Sequence, residues 1–112
     1  SVEAIDEGTA VLLEPPAWIQ GTWTDQVTET YVYTFTTDNV VWEYSGTSVD
    51  CNNYNSSYSD QGSRYEDIIV DVDSYELHSY ISDSLQTTYR FDQLDASSLT
   101  YTDGTSTLTF VK

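Results

Sequence analysis

From residue 18 onward the chain alternates between apolar and polar positions. Thr30 to Thr36 sets Tyr31, Tyr33 and Phe35 against Thr30, Val32 and Thr34, the period of two that marks a half-buried strand. Thr37-Asp38-Asn39 reads as a tight turn. Beyond it Val40, Trp42 and Tyr44 share one face, Val41 and Glu43 the other, and Ser45-Gly46 closes the run. The two runs predict a hairpin. Slipping its register by one residue would expose every apolar side chain together, so Tyr31, Tyr33, Phe35, Val40, Trp42 and Tyr44 are expected to face inward as a set.

The pattern blurs between Asp50 and Arg64, a stretch rich in Asn, Ser, Tyr and Gly that predicts a broken strand or a long loop. Order resumes at Tyr65. Ile68, Val70 and Val72 alternate with Ile69, Asp71 and Asp73, and after Asp73-Ser74 a second run places Tyr75, Leu77 and Ile81 on one face. Leu85, Thr87, Tyr89 and Phe91 oppose Gln86, Thr88, Arg90 and Asp92 in a further strand. Ser98 to Thr102 joins Thr107 to Val111 through Asp103-Gly104, a strong hairpin signal. No window longer than ten residues after residue 17 has a helical period, so the fold class is all-β.

These runs give about eight short strands, centred near residues 22, 32, 42, 50, 69, 78, 89 and 100, with a ninth near 109 if the weak strand at 50 fails or pairs at an edge. Short links favour nearest-neighbour antiparallel pairing, and closing such a meander removes exposed edges. An up-and-down meander barrel is therefore predicted, with a two-sheet β-sandwich as the alternative. Immunoglobulin spacing of Cys, Trp and Cys is absent. Residues 1–17 differ: an acidic start, the apolar Ala10-Val-Leu-Leu and the helix-stopping Pro15-Pro16. They read as a flexible or short helical lead-in or tether whose apolar half packs on a domain spanning 18–112.

Length and charge narrow the partners. A chain of 112 residues with 38% hydrophobic and 14% aromatic content is long enough for one real core. Its formal charge of −16, with only Arg64, Arg90 and Lys112 as basic side chains, argues against nucleic acid, which is bound largely by cations neutralising phosphates. The same repulsion argues against anionic membrane surfaces, and the run Ala10–Leu13 is far too short to span a bilayer. A secretory signal is not visible, so any export signal has been removed or never existed. Twelve Asp and seven Glu among 16 Thr and 14 Ser, with one Lys, resemble the surfaces of exported proteins of salt-loving or marine bacteria, where salt screens self-repulsion. A secreted, periplasmic or cell-surface location is expected, with any lipoprotein anchor lying upstream of Ser1. Cys51, the single cysteine, cannot form an internal disulfide and reads as a buried or incidental thiol.

At the first strand the chain reads Trp18-Ile19-Gln20-Gly21-Thr22-Trp23-Thr24. Gly21-x-Trp23 resembles the G-x-W signature that opens lipocalins and related calycin barrels. The aromatic strand ending in Asp38-Asn39, and Tyr89-Arg-Phe91 followed by Leu94, Leu99 and Tyr101, are similar to the layout of small bacterial lipocalin-like proteins over residues 18–112. The resemblance implies that Gly21 lets the first strand bend and that Trp23 plugs the closed end of a barrel. It also implies an Arg or Lys from a late strand stacked on the indole, for which Arg90 and Lys112 are the candidates. Departures are the short chain, the lone cysteine and no C-terminal helix after the last strand, so a capacious cavity is not implied.

Chemistry-bearing residues are sparse. His78 lies on a predicted strand with no Gly-x-Ser-x-Gly elbow anywhere, which reads as an ordinary strand histidine. Asp71 and Asp73 with Ser74 or Glu76 could hold calcium weakly, yet EF-hand spacing is missing and a solvated acidic face is the default. Glu43 and Glu76, beside Trp42 and Tyr75, are the acids a glycosidase would use, with nothing else to single them out. No catalytic residue, metal ligand set or cofactor is predicted. The aromatics carry the signal: Tyr31, Tyr33, Phe35, Trp42, Tyr44, Tyr89 and Phe91 would fill a small barrel or line a pocket for a small apolar or aromatic ligand. Tyr54, Tyr58 and Tyr65, in the polar loop, would rim a mouth, stack on sugars or contact a protein. The expected role is a non-catalytic, exported lipocalin-like binder. Its alternative is a structural or adhesion module acting through loops around a solid core.

Overall fold

The computed structural model describes residues 13–58, 62–82 and 84–112; the side chain of Tyr58 and the acidic and apolar start up to residue 12 lie outside the described residues. A short 3-10 turn (Ala17–Ile19) leads into β1 (Gly21–Asp25), β2 (Tyr31–Phe35), β3 (Val40–Tyr44) and β4 (Thr47–Asp50). After helix α1 (Cys51–Tyr58) come β5 (Arg64–Val70), β6 (Ser74–Ile81), β7 (Ser84–Asp95), β8 (Ser98–Thr102) and β9 (Thr107–Val111). All nine strands form one sheet in the order β4-β3-β2-β1-β9-β8-β7-β6-β5, and every neighbouring pair is antiparallel. This is an all-β, up-and-down sheet curled into a half-barrel, with the weak strand near residue 50 present at an edge.

The order is that of a closed meander opened at one seam, and strand parity explains where it opens. With β1 and β9 antiparallel, following each half of the chain outward leaves β4 and β5 pointing the same way. An odd ring cannot alternate throughout. Parallel neighbours cannot be joined by a tight turn and need a crossover, which α1 provides by returning the chain from one end of the sheet to the other.

Asp50 caps this helix by accepting a hydrogen bond from the Asn53 amide at 3.0 Å. The side chain of Asn55, itself buried, then reaches the edge of β5. Its Nδ2 donates to the Tyr65 carbonyl at 3.0 Å and its Oδ1 accepts from the Tyr65 amide at 2.7 Å. One side-chain amide thus satisfies the two backbone groups that a neighbouring strand would have paired. Sequence reading had a broken strand or loop here. The helix is too short and too polar to show a period, and it is held by these contacts and by buried Cys51.

The concave face holds the core, in which Leu13, Ile19, Trp23, Tyr33, Phe35, Val40, Tyr75, Leu77, Phe91, Leu99 and Phe110 are all buried. Leu13 places the end of the lead-in in that core. Ile68, Val70 and Val72 do not join the core but are exposed: Val72 lies in the β5–β6 turn, Val70 stands opposite Tyr75 at the end of the edge strand β5, and Ile68 sits at a bulge between Asp67 and Ile69. Asp67 takes the inward place opposite Leu77 and accepts hydrogen bonds from the Tyr75 hydroxyl and the Glu14 amide.

Candidate functional site

Register divides the concave face into tiers. At one end, Gly21 pairs with Phe35 and Phe35 with Val40; Ile19 and Trp23 close this end from below. The Trp23 indole donates to the Ile19 carbonyl at 2.7 Å, and the Lys112 ammonium lies 5.2 Å from the centre of its ring, a cation–π contact worth about 0.5–2 kcal/mol. Gly21 has φ +129°, and a Cβ there would stand 2.6 Å from Lys112 Cε. Glycine at this point both permits the backbone and makes room for the lysine. Of the two late basic candidates, Lys112 takes the indole; Arg90 instead bonds Asp92 and Glu76 on the outer face.

The middle tier is solid. Tyr33 meets Phe91 edge-on at 5.3 Å and Phe110 at 5.4 Å, Phe35 meets Phe91 at 5.2 Å and Tyr75 at 6.0 Å, and Tyr101 meets Phe91 at 5.4 Å. All but the last, which is tilted at 44°, are edge-to-face pairs, in which the edge of one ring meets the face of another of opposite polarity. Of the candidate ligand-binding residues, Tyr33, Phe35 and Phe91 are therefore packing residues, each buried by its neighbours.

The opposite end is open. Tyr31 pairs across the sheet with Tyr44, and their rings stack at 4.4 Å, 20° from parallel, with Tyr44 still 43% exposed. Trp42, opposite Tyr33 in the next inward pair, and Tyr89, against Tyr65 and Tyr101, are half-buried. Trp42 Nε1 is buried without a hydrogen bond of ordinary geometry. It faces the Tyr65 hydroxyl, whose acidity this contact increases against the larger opposing effect of burial. Two carboxylates border this tier. Asp103 accepts from the Tyr101 hydroxyl at 2.8 Å and from the Ser106 amide at 2.8 Å; burial would raise its pKa, but these bonds and that from Thr105 hold it below the usual range. Asp25, buried at the end of β1, is likewise held low, the bonds from Thr28 and Val27 outweighing burial. Burial, then Tyr44 and Asp103, push the Tyr31 hydroxyl up. The structure thus leaves Tyr31, Trp42, Tyr44 and Tyr89 partly accessible and buries Tyr33, Phe35 and Phe91 among their neighbours.

The remaining candidates scatter. His78 sits on the outer face, its Nε2 2.7 Å from Glu76 Oε1 and its Nδ1 3.3 Å from the Tyr80 hydroxyl. Glu43 is on β3 and Glu76 on β6, far apart in the strand order, so they do not face one another across a cleft. Asp71 and Asp73 occupy the β5–β6 turn, and among the described residues no three His, Cys, Asp or Glu side chains gather as a metal would require. Cys51 is buried, which pushes its thiol pKa well up. Tyr65 belongs to β5 and is buried; Tyr54 on α1 packs edge-on against it at 5.1 Å. Sequence reading missed Asp103 and Leu108 at the open tier; Asp103 was visible only as half of a turn signal. Compared with known protein families, curated proteins and solved structures, the chain matches none at a significant level.

Proposed function

We propose that this chain is a non-catalytic binding module that holds a small, flat apolar or aromatic molecule across the open end of its half-barrel. The observation that carries the reading is the stacked, partly exposed Tyr31–Tyr44 pair, with the partly accessible Trp42 and Tyr89 on the same sheet, above a middle tier packed solid. Aromatic walls reward ring-shaped ligands by area and stacking. A deep carrier cavity is not part of the proposal, because the interlocked rings of Tyr33, Phe35 and Phe91 occupy that space.

A lipocalin-like relationship is part of the proposal, supported by Gly21, Trp23 and Lys112 meeting at the closed end in the roles that the resemblance implies. An exported location fits the acidic, lysine-poor surface. The test is titration with the neutral probe N-phenyl-1-naphthylamine while following tryptophan emission. Saturable one-to-one uptake that Tyr44→Ala abolishes, with an unchanged melting temperature, supports the module. Uptake indifferent to Tyr44→Ala, or none at all, overturns it.

A further inference from the structure

A second surface lies at the rim of the closed end. Pro16, Ala17 and Trp18 form one wall of a cleft of about 340 Å³ whose other wall is Val70, Asp71 and Val72. That volume falls at the lower end of the range occupied by ligand clefts, roughly 300–1,000 Å³. The walls are fixed relative to one another. Trp18 Nε1 donates to the Asp71 carbonyl at 3.1 Å, and the turn is closed by Asp71 N donating to the Ser74 carbonyl at 2.9 Å and anchored by Gln93 N donating to Asp73 at 2.9 Å.

Folding does not account for Val72. It occupies the tip of a tight turn, where Gly, Asn, Asp and Ser are favoured for stated conformational reasons and a β-branched residue has no such advantage. It is 87% exposed, so its side chain contributes little to the core. Val70, in the same wall, and Ile68, beyond it on β5, are also exposed. Exposed apolar surface continuous with a cleft is the mark of an interaction site.

Charge says what fits there. Val72 stands between the exposed carboxylates of Asp71 and Asp73, and Glu14 is exposed on the lead-in nearby. The chain carries −16 in all, and its three basic side chains are engaged: Arg64 with Glu66, Arg90 with Glu76 and Asp92, Lys112 over Trp23. Such a field repels anionic partners and steers cationic ones toward the surface. We infer that the cleft docks a cationic peptide segment, with an apolar side chain entering between Trp18 and Val72 and Lys or Arg on either side meeting Asp71 and Asp73. This surface is separate from the aromatic tier at the open end.

The experiment uses the full chain and fluorescein-labelled Lys-Lys-Leu-Leu-Lys-Lys, followed by anisotropy at 20 mM and 200 mM NaCl. Binding is expected to saturate, to weaken at higher salt, to fall at least tenfold when Ser replaces Leu in the peptide, and to vanish when Glu replaces Lys. Val72→Ser should weaken it at least fivefold with an unchanged melting temperature. Ala17→Gln, an exposed, neutral change that fills the opposite wall, should weaken it likewise and gives a second variant if the turn is disturbed. Equal binding of the Leu and Ser peptides, or binding indifferent to both variants, would mean that charge alone holds the peptide and overturns the inference. So would self-association in sedimentation that Val72→Ser abolishes, since the cleft would then seat a second copy of the chain. Retained uptake of N-phenyl-1-naphthylamine by Val72→Ser keeps this result distinct from the test of the open end.

Discussion

Asn55→Ala is the perturbation that bears most directly on how the open seam is held. In the native chain the Asn55 amide occupies both backbone groups of Tyr65 at the margin of β5, at 2.7 and 3.0 Å, in a buried position. Truncation leaves one N–H and one C=O without these partners. A buried polar group left unsatisfied costs about 1–3 kcal/mol, so the pair should cost about 2–6 kcal/mol, the lower figure applying if water enters the space. Against a total stability of roughly 5–15 kcal/mol that is a large fraction. Urea unfolding followed by tryptophan emission measures the loss, and hydrogen exchange at the Tyr65 amide locates it. Asn55→Asp is the control: it still accepts from the Tyr65 N–H but turns a second acceptor toward the Tyr65 carbonyl, so it should be at least as damaging at neutral pH and recover in part when acid protonates the carboxyl. A loss below about 0.5 kcal/mol for Asn55→Ala, the range of an ordinary surface substitution, or unchanged protection at Tyr65, would refute the view that a side chain replaces the missing strand.

Three further outcomes follow from particular contacts. Trp23→Ala should cost about 3–5 kcal/mol in urea unfolding, since a fully buried indole is removed from the closed end; an unchanged midpoint would remove the structural meaning of Gly21-x-Trp23. Asp25 and Asp103 have pKa values held below the unfolded range, so their contribution is present above the unfolded carboxylate pKa and is lost as pH falls through the folded values. Asp67 has the opposite sign, its pKa raised by burial, so its contribution is present below the unfolded pKa and lost as pH rises through the folded one. Asp67→Asn should therefore melt higher than the parent at pH 7, the amide accepting from Glu14 N and donating to the Tyr75 hydroxyl, with the advantage shrinking below pH 4; a lower melting temperature at pH 7 contradicts this. Finally, −16 on so small a chain should make thermal stability rise between low salt and molar NaCl through screening, and a flat series of melts would mean that the charges are already compensated.

The strand positions were legible because alternation is a local property: each of the nine centres read from the sequence falls within a strand. The inward set on β2 and β3 was legible for the same reason, since cross-strand pairs such as Tyr33 with Trp42 follow once one face is apolar. What alternation cannot encode is a place where the count changes. The bulge at Ile68 inserts one residue, so that Asp67 and Val70, three apart, stand opposite the inward Leu77 and Tyr75, a spacing that plain alternation does not produce, and Ile68 is left exposed. Degree of burial along a face was equally hidden: Tyr31 and Tyr33 are equivalent in the pattern, yet the register sets one at the rim and the other beneath it.

The seam is the deepest of these nonlocal features, and it links fold to function. Eight antiparallel strands could close on themselves, and the edge strand β4 makes the count nine, which leaves β4 and β5 parallel and forces a crossover. Nothing in residues 51–58 announces a helix, because the requirement arises from the parity of the whole ring. Filling the seam with α1 sets Tyr54 against Tyr65 and covers the side of the core, so the stacked, partly exposed Tyr31 and Tyr44 lie at the open end. The binding surface proposed there is thus a consequence of strand count and core packing acting together, and a chain with the same aromatic pattern but an even ring would present those residues differently.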